Sequence, residues 1–425
     1  MTETIHSLKP HYPVIVVGGG QAGLSASWHL KQKGIEHAVL EKHRSGHSWR
    51  SERWDSFCLV TPNWQCQLPG FPYPGADPHG FMKKDEIVAY LDAFVERLRP
   101  PLMEGVTVSS LRREEDGLYR LRTSAGETSA DNVILAVGGY HIPNIPRLAE
   151  RLPDGIAQVH SSRYRNAAQL PEGAVLVVGS GQSGCQIAED LHLESRRVHL
   201  SVGSAPRCPR VYRGRDAVDW LHDMGHYDMP VEKHSLKEKV RRNANHYVTG
   251  RDGGREIDLR KFATEGMRLY GRLDTLAEGR VTFEPNLTRN LDNADAVYNG
   301  IRAAIDKHIR EQGIDAPIDP PYSAPWAPDG DPLELDLAAE GIRSVVWCTG
   351  FRSNFGWVEV PVFDGAGQPV HRRGVTGSPG LYFLGLPWLH TWGSGRFSGV
   401  ARDAGHVVDR IAARPVDAMP LQAVG

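Results

Sequence analysis

Apolar and polar positions in this chain repeat one long unit. Val14–Val17 is a β-branched run that reads as a strand buried on both faces. Gly18, Gly20 and Gly23 follow at G-x-G-x-x-G spacing. Leu24 to Leu30 has helical spacing, Gly34 stands where that helix should end, and His37–Leu40 is a second strand closing on Glu41. The unit recurs as the strand Ala174–Val178, the glycines Gly179, Gly181 and Gly184, a helix from Cys185 to Leu191 and a strand Val198–Val202. Asp131–Gly139 and Ile342–Gly350 are further apolar runs ending in glycine, predicted as the strands by which the chain leaves and re-enters the first unit. Gly380–Gly385 is the expected last strand. The pattern predicts an α/β fold of two Rossmann-like dinucleotide-binding domains, the second nested within the first. The expected boundaries are 1–168, 169–338 and 339–425, with a mostly helical insertion at about 213–332.

Within the insertion, Val297, Ile301, Ile305 and Ile309 recur at helical spacing, with Asn293 as a candidate N-cap and Gly313 as the C-terminal glycine. Ser235–Tyr247 is polar and basic and reads as an exposed helix. Gly266–Arg272 reads as a tight loop. Six prolines between Pro317 and Pro332 predict a stiff extended stretch. Tyr322 and Trp326 on it could serve as a substrate wall, or the stretch could be a belt that ties the insertion down.

The glycine spacing has a mechanism. Gly18 makes a tight turn, Gly20 lets backbone approach a pyrophosphate, and Gly23 lets the helix pack on the strand, whose partially positive N-terminus faces the phosphates. Gln21 and Ala22 lie in the same turn, and Glu41, 18 residues beyond Gly23, is placed for ribose hydroxyls with Lys42 beside it. In the second unit the candidates are Gly179, Ser180, Gly181, Gln182, Ser183 and Gly184. Val202 falls where an acid would stand, and arginines follow from Arg207. Arg207 is the candidate for a 2′-phosphate, which inclines the second site toward NADPH, with NADH left open; a solvated loop is the alternative. Two such turns in one chain point to FAD held by the first unit and a nicotinamide visiting the second.

Composition narrows the class. Lys and Arg number 49 against 51 Asp and Glu, so no basic excess points to nucleic acid. No apolar run of about 18 residues predicts a membrane span. The start MTETIHSLKPHYP has no apolar stretch of the signal-peptide type. Five cysteines without a CxxC pair predict reduced thiols and a cytoplasmic protein. Scattered histidines and no HExxH predict no metal.

These residues resemble the bacterial and plant single-component flavin-containing monooxygenases. Gly18–Gly23 with Glu41 is similar to their FAD fingerprint. Gly46-His47-Ser48-Trp49 is similar to their GGxW turn, with His47 in place of a glycine. Asp55–Pro62 resembles the strand under the flavin ring, and Ala136-Val137-Gly138-Gly139 with Pro143–Pro146 the ATG…PxxP turn. Gly179–Leu191 is similar to GxGxSGxxIAxDL, and Cys348-Thr349-Gly350-Phe351 to the second ATG-type motif. The family fingerprint ending in His is half present, as His160–Tyr164. Its Tyr164 in place of the Trp of Baeyer–Villiger enzymes disfavours ketone insertion. Gly203 stands where the family usually has Arg. Leu386–Gly405 resembles a bacterial subgroup often encoded beside nitrilases, which implies a nitrogen-containing substrate.

The resemblance implies an enzyme in which a nicotinamide gives hydride to flavin, oxygen adds at the flavin C4a carbon, and the resulting peroxide oxygenates a small molecule. The expected partners are that small molecule and O2, with no nucleic acid and no integral membrane; a homodimer through the insertion stays open. Asn63, His390 and Arg396 are the candidate catalytic residues. Asn63 could touch both flavin and nicotinamide, or bond its own loop. His390 could face the ring, or hold a loop carbonyl. Arg396 and the N-terminus of a last helix, carrying Val400, Ala404, Val407, Val408 and Ile411, could face the flavin edge that gains negative charge. Ser48, Trp49, Thr61, Gly138, Gly350, Gly385 and Trp392 complete the candidate cofactor contacts, with packing the alternative for both tryptophans. A reductase or oxidase on the same fold, and a non-catalytic redox-sensing flavoprotein, are the rival readings.

Overall fold

The computed structural model describes residues 8–414; the N-terminal start and the end of the expected third span lie outside the described residues. The repeated pattern becomes two parallel sheets. In chain order the elements that build them are β1 (His11–Val17), α1 (Gln21–Gln32), β2 (His37–Glu41), β3 (Leu102–Glu104), β4 (Gly126–Leu135), β5 (Ala157–His160), β6 (Ala174–Val178), α2 (Gln182–Leu193), β7 (Val198–Ser201), β8 (Arg268–Tyr270), α3 (Leu287–Gln312), β9 (Ile342–Trp347), β10 (Leu381–Phe383) and α4 (Val400–Ala412). The first sheet runs β10-β4-β1-β2-β3, all parallel. A short hairpin at 371–376 extends one edge, and an antiparallel pair at 108–123 is attached to β4. The second runs β5-β9-β6-β7-β8, also all parallel. Helices cover the sheets, so β1 and β6 are apolar throughout their central residues, as a doubly covered strand must be.

The second unit is nested in the first. The chain leaves through Ile142–Pro143 and returns through Phe351–Arg352, and these two crossings pair with each other. Sheet membership moves the expected boundaries. Residues 157–160 already belong to the second sheet, and Ile342–Trp347 lies at its centre between β5 and β6, so re-entry into the first unit follows this strand. The insertion is less helical than its pattern predicts. Gly266–Arg272 holds β8, because Leu269 and Tyr270 pair beside β7 and are buried. Ser235–Tyr247 contains only a short turn of helix at Lys237–Arg242. The long helix ends at Gly313, which has φ +62°, but starts at Leu287, capped by Asn286 rather than Asn293. Its buried stripe runs through Ala294, Tyr298, Arg302, Ile305 and Ile309, leaving Val297 exposed. Tyr298 and Arg302 win that face because Tyr298 stacks on Arg207 and Arg302 on Tyr212.

Candidate functional site

Both glycine turns have one geometry. Gly18 has φ +109° and Gly179 φ +100°, a region that favours glycine. A Cβ on Gly23 would overlap the Gly18 carbonyl oxygen, and one on Gly184 the Gly179 carbonyl oxygen; these glycines are where helix meets strand. Gly20 and Gly181 are different: nothing lies within 4 Å of a Cβ placed there, so each turn presents open backbone at the N-terminus of its helix. That is the cradle a pyrophosphate requires.

Above the first turn lies a cavity of about 650 Å³, within the range of small-molecule and cofactor sites. Gly18, Gly20, Gln21 and Ala22 form its floor; Glu41, Lys42, Ser48 and Trp49 one wall; Thr61, Gly138, Gly385 and Arg396 the rest of the expected set. Gly23 packs beneath. The Glu41 carboxylate accepts the backbone N–H of Gly19 at 2.6 Å and of His43 at 2.8 Å, so the acid closing β2 also braces the turn. Trp49 Nε1 donates to Gln21 Oε1 at 3.1 Å, Gln21 Nε2 donates to the Gly395 carbonyl at 3.3 Å, and Trp49 stacks on Phe397. Segments more than 340 residues apart in sequence thus meet over the turn. Residues Gly395–Ser398, at the entry to α4, line the cavity.

Several expected residues lie elsewhere. Asn63 is buried with its amide consumed: Nδ2 donates to the Asp77 carbonyl at 2.9 Å and Oδ1 accepts from the Met82 N–H at 2.7 Å. It pins the loop at 77–82 and has no reach into the cavity. His390 is outside the wall; its carbonyl accepts from Val231, its N–H donates to Ser394, and burial lowers its basicity beside Arg373 and Asp403. Trp392 is packed between Tyr227 and the Arg396 guanidinium. Gly350 sits at the return crossing, where its carbonyl accepts from Asn144 N–H and from His160 Nε2 at 3.0 Å. The half fingerprint at His160–Tyr164 is therefore a lock: His160 holds the crossing, and Tyr164 donates to Asp190 on α2 at 2.6 Å.

Arg207 is the clearest correction. Its guanidinium is buried and bonded to Glu256 at 2.9 Å, Asp258 at 3.0 Å and Asp295 at 2.9 Å, between the rings of Tyr298 and Tyr322. Three carboxylates repel a phosphate, and both Nη atoms are engaged. Arg260 extends the network to Asp292, Asp295 and the Trp326 carbonyl, so the proline-rich stretch is a belt. Replacing Arg207 by methionine should cost about 3–5 kcal/mol in stability, because unpaired carboxylates stay buried. The ratio of KM values for NADPH and NADH should not move; urea denaturation and steady-state kinetics read the two.

On α2 the Glu189 carboxyl is buried, Oε1 has no hydrogen bond and only a distant ion pair with Arg255 Nε at 4.0 Å, and burial pushes its pKa up to about 7. The folded state therefore binds this proton more tightly than the unfolded chain. The resulting stability is full below the unfolded carboxyl value and lost as pH rises through about 7. Glu189→Gln should stabilise the protein at pH 8 by up to about 3 kcal/mol, and the gain should vanish near pH 4.5, where an unperturbed glutamate titrates; denaturation midpoints across pH test this.

Pattern reading missed Arg53 and Tyr140, which also line the cavity. Arg53 follows the short helix His47–Ser51 that carries Trp49, and its guanidinium reaches back to the Trp49 ring. Tyr140 had no signal in the sequence, since its position at the mouth depends on the crossing at Phe351.

Two parallel sheets, each ending in the same open glycine turn and joined by a paired double crossing, define a two-nucleotide oxidoreductase. The chain belongs to the pyridine nucleotide-disulphide oxidoreductase family, whose profile matches residues 15–259, and within it to the single-component flavin-containing monooxygenases. It is 33% identical to the "Uncharacterized oxidoreductase CzcO-like" of Geobacillus kaustophilus, covering 94% of this chain and 97% of the relative. It is 31% identical to the rice "Indole-3-pyruvate monooxygenase YUCCA1", covering 88% and 86%. The fold is shared with a flavin-containing monooxygenase from Stenotrophomonas maltophilia at a TM-score of 0.65 and 19% identity, over 95% of this chain and 99% of that one. Among the described residues no helix is long and apolar enough to cross a membrane.

Proposed function

We propose that this oxidoreductase is an NADPH-dependent FAD monooxygenase that transfers one atom of O2 to a small, nitrogen-containing molecule. The observation that supports it best is the duplication of the open glycine turn, at Gly18–Gly23 and at Gly179–Gly184, in one nested molecule. The first cavity suits FAD: Gly20 leaves its cradle clear, and Glu41 stands at the end of β2 for a ribose. NADPH, or NADH, belongs to the second turn, where Ser180 Oγ accepts the Gly203 N–H and shapes the floor. When bound, FAD supplies the acceptor for the nicotinamide's hydride and the carbon at which O2 is activated.

The chain's own part is to bind, orient and keep water out. Trp49, Phe57, Leu59 and Phe397 give the cavity an apolar wall. Arg210, buried and paired with Asp216, donates to the Val60 carbonyl at 2.8 Å, so the second unit braces the cavity segment Leu59–Thr61. The entry to α4 directs a helix N-terminus toward the cavity end at Ser398, where partial positive charge favours electron-rich flavin.

Rapid mixing tests the reading. Holoenzyme reduced anaerobically with NADPH and mixed with O2 should show a spectral transient distinct from oxidised and reduced flavin, and amines, oximes or sulfides should shorten its life. Direct return to oxidised flavin with stoichiometric hydrogen peroxide would make the protein a reductase or oxidase. Failure of both nicotinamides to reduce the flavin would leave a redox-sensing flavoprotein.

A further inference from the structure

The cavity wall carries two guanidinium groups that no carboxylate balances. Arg53 lies 5.1 Å from the centre of the Trp49 ring and 5.5 Å from that of Phe57, and Nη1 donates to the Glu52 carbonyl at 2.9 Å. Arg396 lies 3.8 Å from the Trp392 ring centre, donates to Asn245 Oδ1 at 2.9 Å and also to the Trp392 carbonyl. Among the described residues, no carboxylate oxygen comes within 4.0 Å of either, whereas Arg207, Arg210, Arg251 and Arg260 are all paired with Asp or Glu; the buried Arg302, also without a carboxylate, lies outside the cavity and donates to the Pro320 carbonyl. The cavity's own acids do not fill the gap. Glu41 is engaged by the Gly19 and His43 N–H groups, and Glu52 acts on Arg53 only at a distance.

Desolvation pushes both guanidinium groups below the usual arginine value, and the Tyr140 phenol is near enough to influence both. Two half-buried guanidinium groups that line one cavity without a carboxylate partner favour an anion there. The open turn of α1 already provides for a pyrophosphate, so these cations are surplus to it. A guanidinium fork is suited to a planar carboxylate.

We propose that Arg53 and Arg396, with Tyr140 at the mouth, form an oxyanion subsite that holds the carboxylate of the substrate while Trp49, Phe57 and Phe397 take its apolar part. The proposal rests on the monooxygenase reading for the word substrate, but its test needs no turnover. The same oxyanion chemistry could come from the FAD pyrophosphate or from a coenzyme phosphate, and the arms of the test separate these sources.

The experiment titrates oxidised, FAD-loaded protein with phenylacetate and with the neutral isostere phenylacetamide, following the visible flavin spectrum. Wild type should bind the acid at least about tenfold more tightly than the amide. Arg53→Met and Arg396→Met should each weaken the acid by a similar factor and leave the amide unchanged, with Arg53→Lys recovering part of the loss. Flavin-to-protein ratio and coenzyme affinity should stay at wild-type values. Equal binding of acid and amide by wild type would overturn the proposal, and this comparison needs no variant to fold. Loss of FAD from Arg53→Met would assign that cation to the cofactor pyrophosphate. A fall in coenzyme affinity with the acid titration unchanged would assign the pair to the coenzyme. Either result overturns the subsite. A protein that binds the acid as expected yet never oxygenates anything would sink the monooxygenase reading and leave the subsite standing.

Discussion

Gly23→Val is expected to purify colourless and to melt far below wild type. At this position α1 touches the end of β1, and even a single Cβ would overlap the Gly18 carbonyl oxygen while pressing on Val16. Backbone is on one side and a fully buried strand on the other, so neither can give way without opening the sheet at its centre. The expected cost exceeds about 4 kcal/mol, a large part of the 5–15 kcal/mol that holds an ordinary domain together. Gly20→Val is the control in the same turn. Nothing lies within 4 Å of a Cβ there, so the variant should lose FAD yet melt where FAD-stripped wild type melts. The absorbance ratio of flavin to protein, read beside thermal melting, distinguishes the two. Full flavin content in Gly20→Val would remove the cavity from the first turn's account.

The second large effect is expected at the other turn. Gly181→Val should remain yellow and stable, because its Cβ also enters open space and the first cavity is untouched. Its flavin should be reduced by NADPH at least about 100-fold more slowly than wild type, since a branched side chain would stand where backbone must meet a phosphate. Reduction by dithionite should be normal. Stopped-flow reduction with the two reagents checks this, and a wild-type rate with NADPH would mean that the nicotinamide does not use this turn. Gly184→Val, by contrast, should behave like Gly23→Val in stability, because its Cβ would overlap the Gly179 carbonyl oxygen.

The contrast between Gly181 and Arg207 shows where legibility stops. Both follow β6 in sequence and both had a nucleotide role by position. The role of Gly181 is a local matter: spacing along a strand, a turn and a helix decides that its backbone is open. The role of Arg207 depended on Glu256, Asp258 and Asp295, residues far along the chain that fold back and enclose it. Asn63 went the same way, its side chain claimed by Asp77 and Met82. A polar side chain bonds whatever faces it, and nothing within a few residues says what that will be.

From its order of residues alone this protein already had its two strand–glycine–helix units, their nesting and the acid that closes the first, because β-branched runs and glycine spacing act over a handful of neighbours. Tertiary structure alone decided that Ile342–Trp347 belongs to the second sheet, that the proline-rich stretch is a belt, and that Arg53 and Arg396 line one cavity without ion-pair partners. Those outcomes are set by which distant segments come to lie against each other, and the burial that charges and carbonyls then experience exists only once the chain has folded.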